Sequence, residues 1–336
     1  MSQAENTKLV KSLAAQFGFD YCGIAAAKEL TEDARRLEQW LSNGYHGEMQ
    51  YMENHFDLRI DPRKLVPGAK SVITFLINYY PSQQDQLIQI DSNSKIAKYA
   101  WGEDYHEVIR TKLQMMLSEM QKEMGKITGR GFVDSAPVLE RSWAQLSGAG
   151  WIGKNGNLIR PQTGSFFFLA TLIVDIELDY DTPIPNDYCG TCTKCIDACP
   201  TDAILPNKTI QANHCISYYT IELKQSEINA NKNYSDWAFG CDICQDVCPW
   251  NRFSKSHNEA QFKPLHGLLN MSRNQWLQME ETTFKERFKK SPLLRSKLKG
   301  LKRNTPARSF LNKFTSFIFG FTALGSFGFI INFLFS

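Results

Sequence analysis

The sequence predicts a mixed α/β (α+β) domain, followed by a small cysteine-rich domain and a short basic helical region. Three observations support this architecture. Hydrophobic patterns of helical and strand type alternate along the first 180 residues, eight of the nine cysteines fall within 189–248, and residues 285–308 carry ten Lys or Arg and one Glu. We therefore place domains at 1–180, 181–252 and 253–308, and separate a hydrophobic tail at 309–336.

Composition excludes several classes of protein. The chain has 336 residues, 43% hydrophobic and 22% charged, which is enough apolar material for a buried core and excludes a disordered chain. Residues 1–6 are polar and form no secretory signal, which favours the cytoplasm. A reducing compartment and an odd number of cysteines argue against disulfides. The net charge of +3 divides into +9 within 285–308 and −6 elsewhere.

The first half of the α/β domain begins with an amphipathic pattern over 7–17, which predicts a helix ended by Gly18. An apolar stretch at 21–25 predicts a strand, and Thr31 is expected to cap a second helix that ends at Gly44. The apolar, β-branched run at 72–77 predicts a buried strand.

The second half contains the clearest amphipathic helix of the chain. Asp104 is expected to cap it, and its methionine-rich stripe is typical of a core. A short strand at 132–133 delivers Asp134 at its end, Pro137 suits the first turn of the next helix, and 166–176 predicts another strand. Two further helices are expected at 273–279 and 283–289.

The cysteine spacing is the most specific signal in the sequence. Four cysteines from Cys189 to Cys199 have the x2, x2, x3 spacing of bacterial ferredoxins, in which three thiolates hold one [4Fe–4S] cluster and the fourth binds a second cluster. A second run from Cys241 to Cys248 has three cysteines, and Cys215 can supply the missing ligand. The crossed connectivity of two-cluster ferredoxins assigns Cys189, Cys192, Cys195 and Cys248 to cluster 1, and Cys199, Cys215, Cys241 and Cys244 to cluster 2.

Other interpretations compete at several positions. CxxC pairs also form zinc ribbons, although this spacing favours the clusters. Cys22 stands alone in an apolar strand and is expected to be an inert buried thiol. The glycine-rich GAGWIGKNG at 148–156 allows close approach of a large ligand or an ordinary turn, and no dinucleotide-binding glycine motif follows a strand. Spacing alone leaves the electron acceptor open.

Motifs spread over both domains resemble the epoxyqueuosine reductase family. They are RIDPRKLVPGAKSVI (59–73), WGEDYHEVIR (101–110), VDSAPVLERSWAQLSGAGWIGKNGNLI (133–159), CGTCTKCIDACPTDAI (189–204), CISYYTIE (215–222) and GCDICQDVCPWN (240–251). The match extends over residues 5–304 and is more specific than the cysteines alone. The resemblance implies a monomeric oxidoreductase with cobalamin and two [4Fe–4S] clusters. Such an enzyme reduces epoxyqueuosine to queuosine at the wobble position of tRNA, the last step of queuosine biosynthesis.

The implied reaction removes an epoxide oxygen and leaves an alkene, so it needs two electrons and two protons. The resemblance implies that the electrons pass through the clusters to cobalamin, that cob(I)alamin attacks the epoxide, and that Asp134 protonates the alkoxide. Because an unperturbed Asp is ionised at neutral pH, we expect burial or a nearby negative charge to keep Asp134 protonated. From position alone, a helix cap competes with this role.

The same resemblance places residues from both domains against cobalamin, namely Arg59, Ala97, Asp134, Leu158, Leu169, Ser217, Asp242 and Ile243. Without it, Leu158 and Leu169 would be core residues and Arg59 a surface salt bridge. Ala97 stands where some relatives carry a cysteine, so no axial thiolate is expected here. Tyr105 and His106 are proton-relay or substrate candidates, and a solvated position in the first helical turn is the alternative for His106.

Two partners are implied. The basic region is expected to neutralise tRNA phosphates, with a solvated charged face as the alternative. The candidates for tRNA contact are Lys224, Lys297, Lys299, Lys302 and Arg303. The second partner is a low-potential electron donor such as ferredoxin or flavodoxin.

The tail and the overall function each leave alternatives. Residues 314–336 carry no charge and eight of the 22 Phe, which is long enough to cross roughly 30 Å of hydrocarbon. A membrane anchor, a packed helix and a non-native extension stay open for this segment. For the function, the alternatives are a reductive dehalogenase-like corrinoid iron–sulfur reductase, disfavoured by the lack of a twin-arginine signal, and an electron-carrier ferredoxin subunit.

Overall fold

The computed structural model describes residues 1–90, 94–224 and 236–305, and Met1–Thr305 form one compact unit. The helices are α1 (Gln3–Gln16), α2 (Thr31–Ser42), α3 (Phe56–Ile60), α4 (Gln83–Ile90), α5 (Tyr105–Met124), α6 (Glu140–Leu146), α7 (Lys194–Asp197), α8 (Ile243–Asp246), α9 (Arg273–Gln278), α10 (Glu281–Arg287) and α11 (Lys297–Asn304). The strands are β1 (Tyr21–Ala26), β2 (Ser71–Asn78), β3 (Lys95–Ile96), β4 (Gly129–Phe132), β5 (Trp151–Ile152), β6 (Leu158–Ile159), β7 (Phe167–Val174) and β8 (Trp237–Phe239).

The main sheet has four strands in the order β1–β2–β7–β4, and every neighbouring pair is antiparallel. Alternation of helices and strands predicted the elements but not this strand direction, which depends on how each connection crosses the sheet. Strands β2 and β7 are apolar because both of their faces are covered. Ile73 and Phe75 pack with α1 and α5, whereas Val72 packs with Trp143 of α6.

The helix predictions have mixed outcomes. Asp104 caps α5 as predicted, because its carboxylate accepts the backbone N–H of His106, and the methionine stripe is confirmed as core. Thr31 is not a cap, since the chain enters α2 through the buried Leu30 and no side chain accepts a hydrogen bond there. Pro137 is not in a first turn either, because a turn carrying Asp134 delays the start of α6 to Glu140.

The C-terminal helices build a second apolar core. Helices α9 and α10 confirm the two predicted there, with bounds shifted by one to two residues. Trp276, Phe284 and Phe288 pack with Ile96 of β3 and Phe239 of β8, which pair in parallel. The sequence of this C-terminal region is polar overall, yet these apolar residues pack it against β3, the strand that precedes Ala97.

The hydrophobic tail at 309–336, with its three interpretations, lies outside the described residues. Among the described helices, none combines the length and the apolar character needed to cross a membrane. The domain boundaries at 180 and 252 stay predictions.

Candidate functional site

Asp134 lies at the tip of a tight turn at the end of β4. Its φ of +51° is in the left-handed region, which non-glycine residues adopt rarely and which often marks a functional position. The backbone N–H of Asp134 donates to Oε2 of Glu140 over 2.9 Å. Helix α6 starts only at Glu140, with Leu139 as its N-cap, so the helix-cap alternative for Asp134 is wrong.

The first turn of α5 presents two side chains to the Asp134 carboxylate. The Tyr105 hydroxyl donates to Oδ2 over 2.7 Å, and Nε2 of His106 lies 3.4 Å from the same oxygen. The other ring nitrogen of His106 lies 2.7 Å from Oδ1 of Asp104. The His106 side chain is only 18% exposed and has a carboxylate on each side, so the solvated alternative is wrong.

This arrangement determines where the proton is held. Burial disfavours a charged Asp134, but hydrogen bonds from His106 and Tyr105 outweigh it and lower the pKa of Asp134 to about 2. Burial likewise opposes a charged His106, yet its bonds to Asp104 and Asp134 raise its pKa to about 9. The expectation of a protonated Asp134 is therefore wrong for this state, and the proton resides on His106.

Glu140 is a second carboxyl group that sequence reasoning missed. Burial, with the charge of Asp134 beside it, raises the pKa of Glu140 well above its usual value and so favours its protonated form. Its Oε1 atom is buried and has no hydrogen-bond partner among the described residues. The available signal was its place six residues after Asp134, within the matched motif.

Two cations also act on this site. Burial lowers the pKa of Arg141, whose guanidinium donates to the Gly156 carbonyl over 2.5 Å and is attracted by Asp134 and Glu140. Arg295, from the basic region, forms an ion pair of 2.6 Å with Glu222 and helps to lower the pKa of Asp134. The charge of the C-terminal region therefore acts on Asp134, which the sequence alone did not indicate.

Two of the predicted cobalamin residues, Ala97 and Ile243, belong to one apolar cluster. Ala97 and the half-buried Ile243 pack together with Ile216, the residue before Ser217. Tyr99 packs on the same cluster, and its ring centroid lies 6.1 Å from that of Tyr105, which holds Asp134. Two side chains therefore link Ala97 to Asp134.

The remaining predicted contacts lie elsewhere. Leu158 is buried and Leu169 partly buried in a cluster with Ala144 and Ala149. Arg59 is 8% exposed and donates to the carbonyls of Tyr51 and Asn54, so it is not a surface salt bridge. Its contact with cobalamin stays a prediction.

A cavity of about 740 Å³ adjoins this cluster, on the side of Asp242 and Trp237. The indole N–H of Trp237 is buried and has no acceptor among the described residues. Asp242 is 2% exposed, and burial raises its pKa to about 6 although Lys98 donates to it from the backbone N–H over 2.8 Å. The apolar cluster around Ala97 and the Trp237 donor beside it fit a large amide-bearing ligand such as cobalamin. The cavity itself has charged side chains in its lining, and Asp242 is the one predicted cobalamin contact among the described residues that line it.

The glycines of GAGWIGKNG have another explanation. A Cβ atom on Gly150 would lie 2.2 Å from the Ile159 carbonyl oxygen, and one on Gly153 would lie 2.4 Å from the Ile159 side chain. A Cβ on Gly148 would meet the Thr182 carbonyl oxygen at 2.7 Å. The protein's own packing requires these glycines, which supports the turn rather than close approach of a ligand.

None of the nine cysteines, all in described residues, forms a disulfide. Burial raises the pKa of Cys195, and the neighbouring Cys248, Cys189 and Cys192 raise it further. Burial also raises the pKa of Cys241, with additions from Cys215 and Cys199. These two sets of neighbours are compatible with the crossed ligand assignment, which stays a prediction.

The donor set fits iron–sulfur clusters. The backbone N–H of Ala203 lies 3.4 Å from Sγ of Cys199, a contact typical of cluster thiolates. Across the described ranges, no three His, Cys, Asp or Glu side chains are placed to hold a single metal ion. Burial raises the pKa of the isolated Cys22 to about 12, which fits an inert thiol.

The turn after β5 connects the α/β domain to both groups of cysteines. Nζ of Lys154 donates to the carbonyls of Gly190 (2.8 Å) and Cys192 (3.0 Å). The side-chain amide of Asn155 donates to the Cys244 carbonyl over 3.3 Å. Both predicted clusters are therefore positioned by one segment.

The predicted tRNA-contact residues divide into two kinds. Lys224, Lys297 and Lys299 are exposed and Lys302 is half-buried. Arg303 instead donates to the carbonyls of Leu223 and Tyr219, over 2.6 and 2.7 Å. These bonds give Arg303 a structural role, which argues against the phosphate contact predicted for it.

Comparison with known proteins identifies relatives over most of the chain. Residues 59–135 match the family model described as epoxyqueuosine reductase QueG, DUF1730, and residues 188–251 match a 4Fe-4S double cluster binding domain. A protein from Cyclobacterium marinum named epoxyqueuosine reductase is 54% identical over 301 residues, which are 89% of this chain and 96% of the relative.

Solved structures agree with these matches. An epoxyqueuosine reductase from Bacillus subtilis, with a catalytic loop swung out of its active site, superposes with a TM-score of 0.81 at 27% identity, covering 90% of this chain and 80% of that one. An epoxyqueuosine reductase bound to an epoxyqueuosine-modified tRNA-Tyr stem loop superposes with a TM-score of 0.80 at 28% identity and the same coverage.

Proposed function

The chain belongs to the epoxyqueuosine reductase family of oxidoreductases, and from this premise we propose that it reduces epoxyqueuosine to queuosine in tRNA. The observation that carries the proposal is the Asp134 site with Tyr105 and His106, in a chain that also contains a double-cluster domain. A proton donor and an electron supply are the two requirements for removing an epoxide oxygen as water. Membership over 89% of the chain disfavours a dehalogenase-like enzyme or an electron-carrier subunit.

The eight cysteines predicted to bind clusters are all half-buried, but the two groups have different surroundings. The outer group is Cys189, Cys192, Cys195 and Cys248, and the neighbouring residues 190, 191, 193 and 194 are exposed. In the inner group, which consists of Cys199, Cys215, Cys241 and Cys244, the last two flank Asp242, which lines the cavity, and Ile243, which packs against the Ala97 cluster. When bound, [4Fe–4S] clusters supply one-electron transfer, and cobalamin supplies a strongly reducing, nucleophilic cobalt centre. The inner cysteines and the residues around Ala97 would hold these groups next to one another.

The proton is supplied by the Asp134 and His106 pair. In the open site the pair is charged, with the proton on His106. Filling the site removes water from the Asp134 side chain, which is 55% exposed in the open site, and a dry site favours the neutral pair. The proton then moves from His106 to Asp134, whose Oδ2 can protonate an alkoxide.

Three lysines after residue 290 offer contacts to phosphates, namely the exposed Lys297 and Lys299 and the half-buried Lys302, together with the exposed Lys224. The charge of Arg295, in the same region, also acts on Asp134. We therefore assign the described part of 253–308 to tRNA contact. The other two proposed domains are 1–180 and 181–252. The enzyme works as a monomer in the cytoplasm, supplied by a low-potential carrier such as ferredoxin or flavodoxin.

The test uses protein reconstituted anaerobically with iron, sulfide and cobalamin, a chemical reductant, and tRNA that carries epoxyqueuosine. Mass spectrometry of the digested tRNA should show the loss of one oxygen atom from the modified nucleoside. An unchanged mass, with clusters and cobalamin both bound, would contradict the proposal.

A further inference from the structure

The outer group of cysteines is surrounded by a distinct surface, here called the outer face. It consists of Tyr188, Lys194, Trp250, Arg252, Phe253 and Lys255. The Trp250 indole donates to the Tyr188 carbonyl over 3.3 Å, which joins the segments on either side of Cys189 and Cys248. Lys194 and Arg252 line one end of the cavity together with Cys248.

Aromatic side chains extend from the interior to this surface. The buried Trp151 contacts Tyr188 and Trp250 edge to face, with ring centroids 5.1 and 5.0 Å apart. Trp250 lies 6.0 Å from Phe253. Tyr188 is 45% exposed and Phe253 is 37% exposed, which is unusual for large apolar side chains and is typical of an interaction surface.

The outer face is positively charged. Residues 188–195 and 248–258 contain Lys194, Arg252 and Lys255 and no Asp or Glu. At its border, Asp187 is paired with Lys208 over 2.5 Å and Asp246 with Lys98 over 2.5 Å. Asp197, also at the border, accepts a hydrogen bond from Thr193. The face therefore presents a net positive charge around exposed aromatic rings.

We propose that the outer face is the docking site of an acidic one-electron carrier protein. This rests on the proposed function, which requires an external reductant. Each docking event oxidises one carrier by one electron, and two events with two protons convert the epoxide to an alkene and water. An acidic partner complements the three cations, and its own apolar surface would cover Tyr188 and Phe253. The inner cysteines offer no comparable docking surface for a carrier, because Cys241 and Cys244 lie next to the buried residues Asp242 and Gln245.

The test measures cluster reduction in the reconstituted protein by stopped-flow absorbance, without tRNA. The reductants are a reduced flavodoxin of net negative charge and, separately, dithionite, which needs no docking surface. In K194E/R252E, the rate with flavodoxin relative to that with dithionite should fall at least tenfold at low ionic strength. Phe253→Ala should lower the same ratio several-fold.

The matched control is K8E/K126E, which makes the same charge change at exposed residues of α1 and of the loop after α5. It should keep the wild-type ratio. If K194E/R252E also keeps that ratio, the proposal is overturned. Dithionite-driven reduction of epoxyqueuosine by the wild-type protein tests the proposed function separately, because dithionite needs no docking surface.

Discussion

Glu140 accepts the backbone N–H of Asp134 over 2.9 Å, so a buried carboxyl group with a raised pKa holds the turn that presents a carboxyl group with a lowered pKa. The two carboxyl groups are six residues apart and have opposite pKa shifts. Their protonation states are separated by environment, a pattern typical of acid–base sites.

Asp134→Asn should retain cobalamin and both clusters but reduce turnover by about 10² to 10⁴-fold, since an amide cannot deliver the proton. Cofactor spectra and mass spectrometry of the tRNA check this. Asp57→Asn, at a carboxylate that is 78% exposed, is the matched control and should leave turnover unchanged. Near-normal turnover of the Asp134 variant would exclude its role.

Glu140→Gln should behave almost as the wild type, because glutamine resembles a protonated glutamic acid and its carbonyl can still accept the Asp134 N–H. Glu140→Ala should lower turnover about tenfold and destabilise the fold by roughly 1–3 kcal/mol, because it leaves a donor unpaired. Turnover and urea unfolding of both variants distinguish the two cases. If Glu140→Gln lowers turnover as much as Glu140→Ala does, Glu140 is ionised rather than protonated.

The pair of His106 and Asp134 predicts a pH dependence of stability. The raised pKa of His106, about 9, means that its contribution is full below about pH 6.5 and is lost as the pH rises through 9. The lowered pKa of Asp134 confines its loss to strongly acidic pH. The Tm difference between wild type and His106→Gln should therefore shrink from pH 6 to pH 9.5. A constant difference would contradict the ion pair.

Cys248→Ser should perturb the cluster predicted at residues 189–195. The cysteine nearest to Cys248 in sequence is Cys244, which is assigned to the other cluster. Cys199→Ser should perturb the other cluster. Electron paramagnetic resonance of the reduced variants separates the two signals, and Cys22→Ser should leave both unchanged. Loss of the same signal in both variants would reject the crossed assignment.

K297A/K299A should weaken tRNA binding at all salt concentrations and reduce the slope of log K against log salt by about 1–2. Arg303→Ala should instead destabilise the protein, because its guanidinium bonds the backbone carbonyls of Leu223 and Tyr219. Binding isotherms at several salt concentrations and thermal melts check this pair. An unchanged salt slope would exclude the two lysines.

Local patterns predicted the parts of the fold that depend on nearby residues. Asp104 as a helix cap, the buried methionines and the strand before Asp134 follow from short-range chemistry. Strand direction did not, because it depends on the path of distant connections. The Thr31 prediction failed because burial of Leu30 at the start of α2 outweighed a cap.

The site shows the same division. Cysteine spacing is a local signal, and the neighbours of Cys195 and Cys241 agree with it. Glu140 and Arg295 act on Asp134 through space, so no spacing rule marked them. The protonation of Asp134 was misjudged because His106, 28 residues earlier, supplies the deciding charge.

The pairing of β3 with β8, sealed by α11, has a consequence for synthesis of the protein. The Asn304 amide donates to the carbonyls of Thr220 and Ala238, both over 2.8 Å. The wall behind Ala97, which includes Ala238 of β8, is therefore complete only when Asn304 is in place. While only the α/β domain and the cysteines have left the ribosome, the wall behind Ala97 is incomplete. Clusters and corrinoid that bind before residue 304 has been translated therefore enter an incomplete pocket, so the pocket is completed late in synthesis.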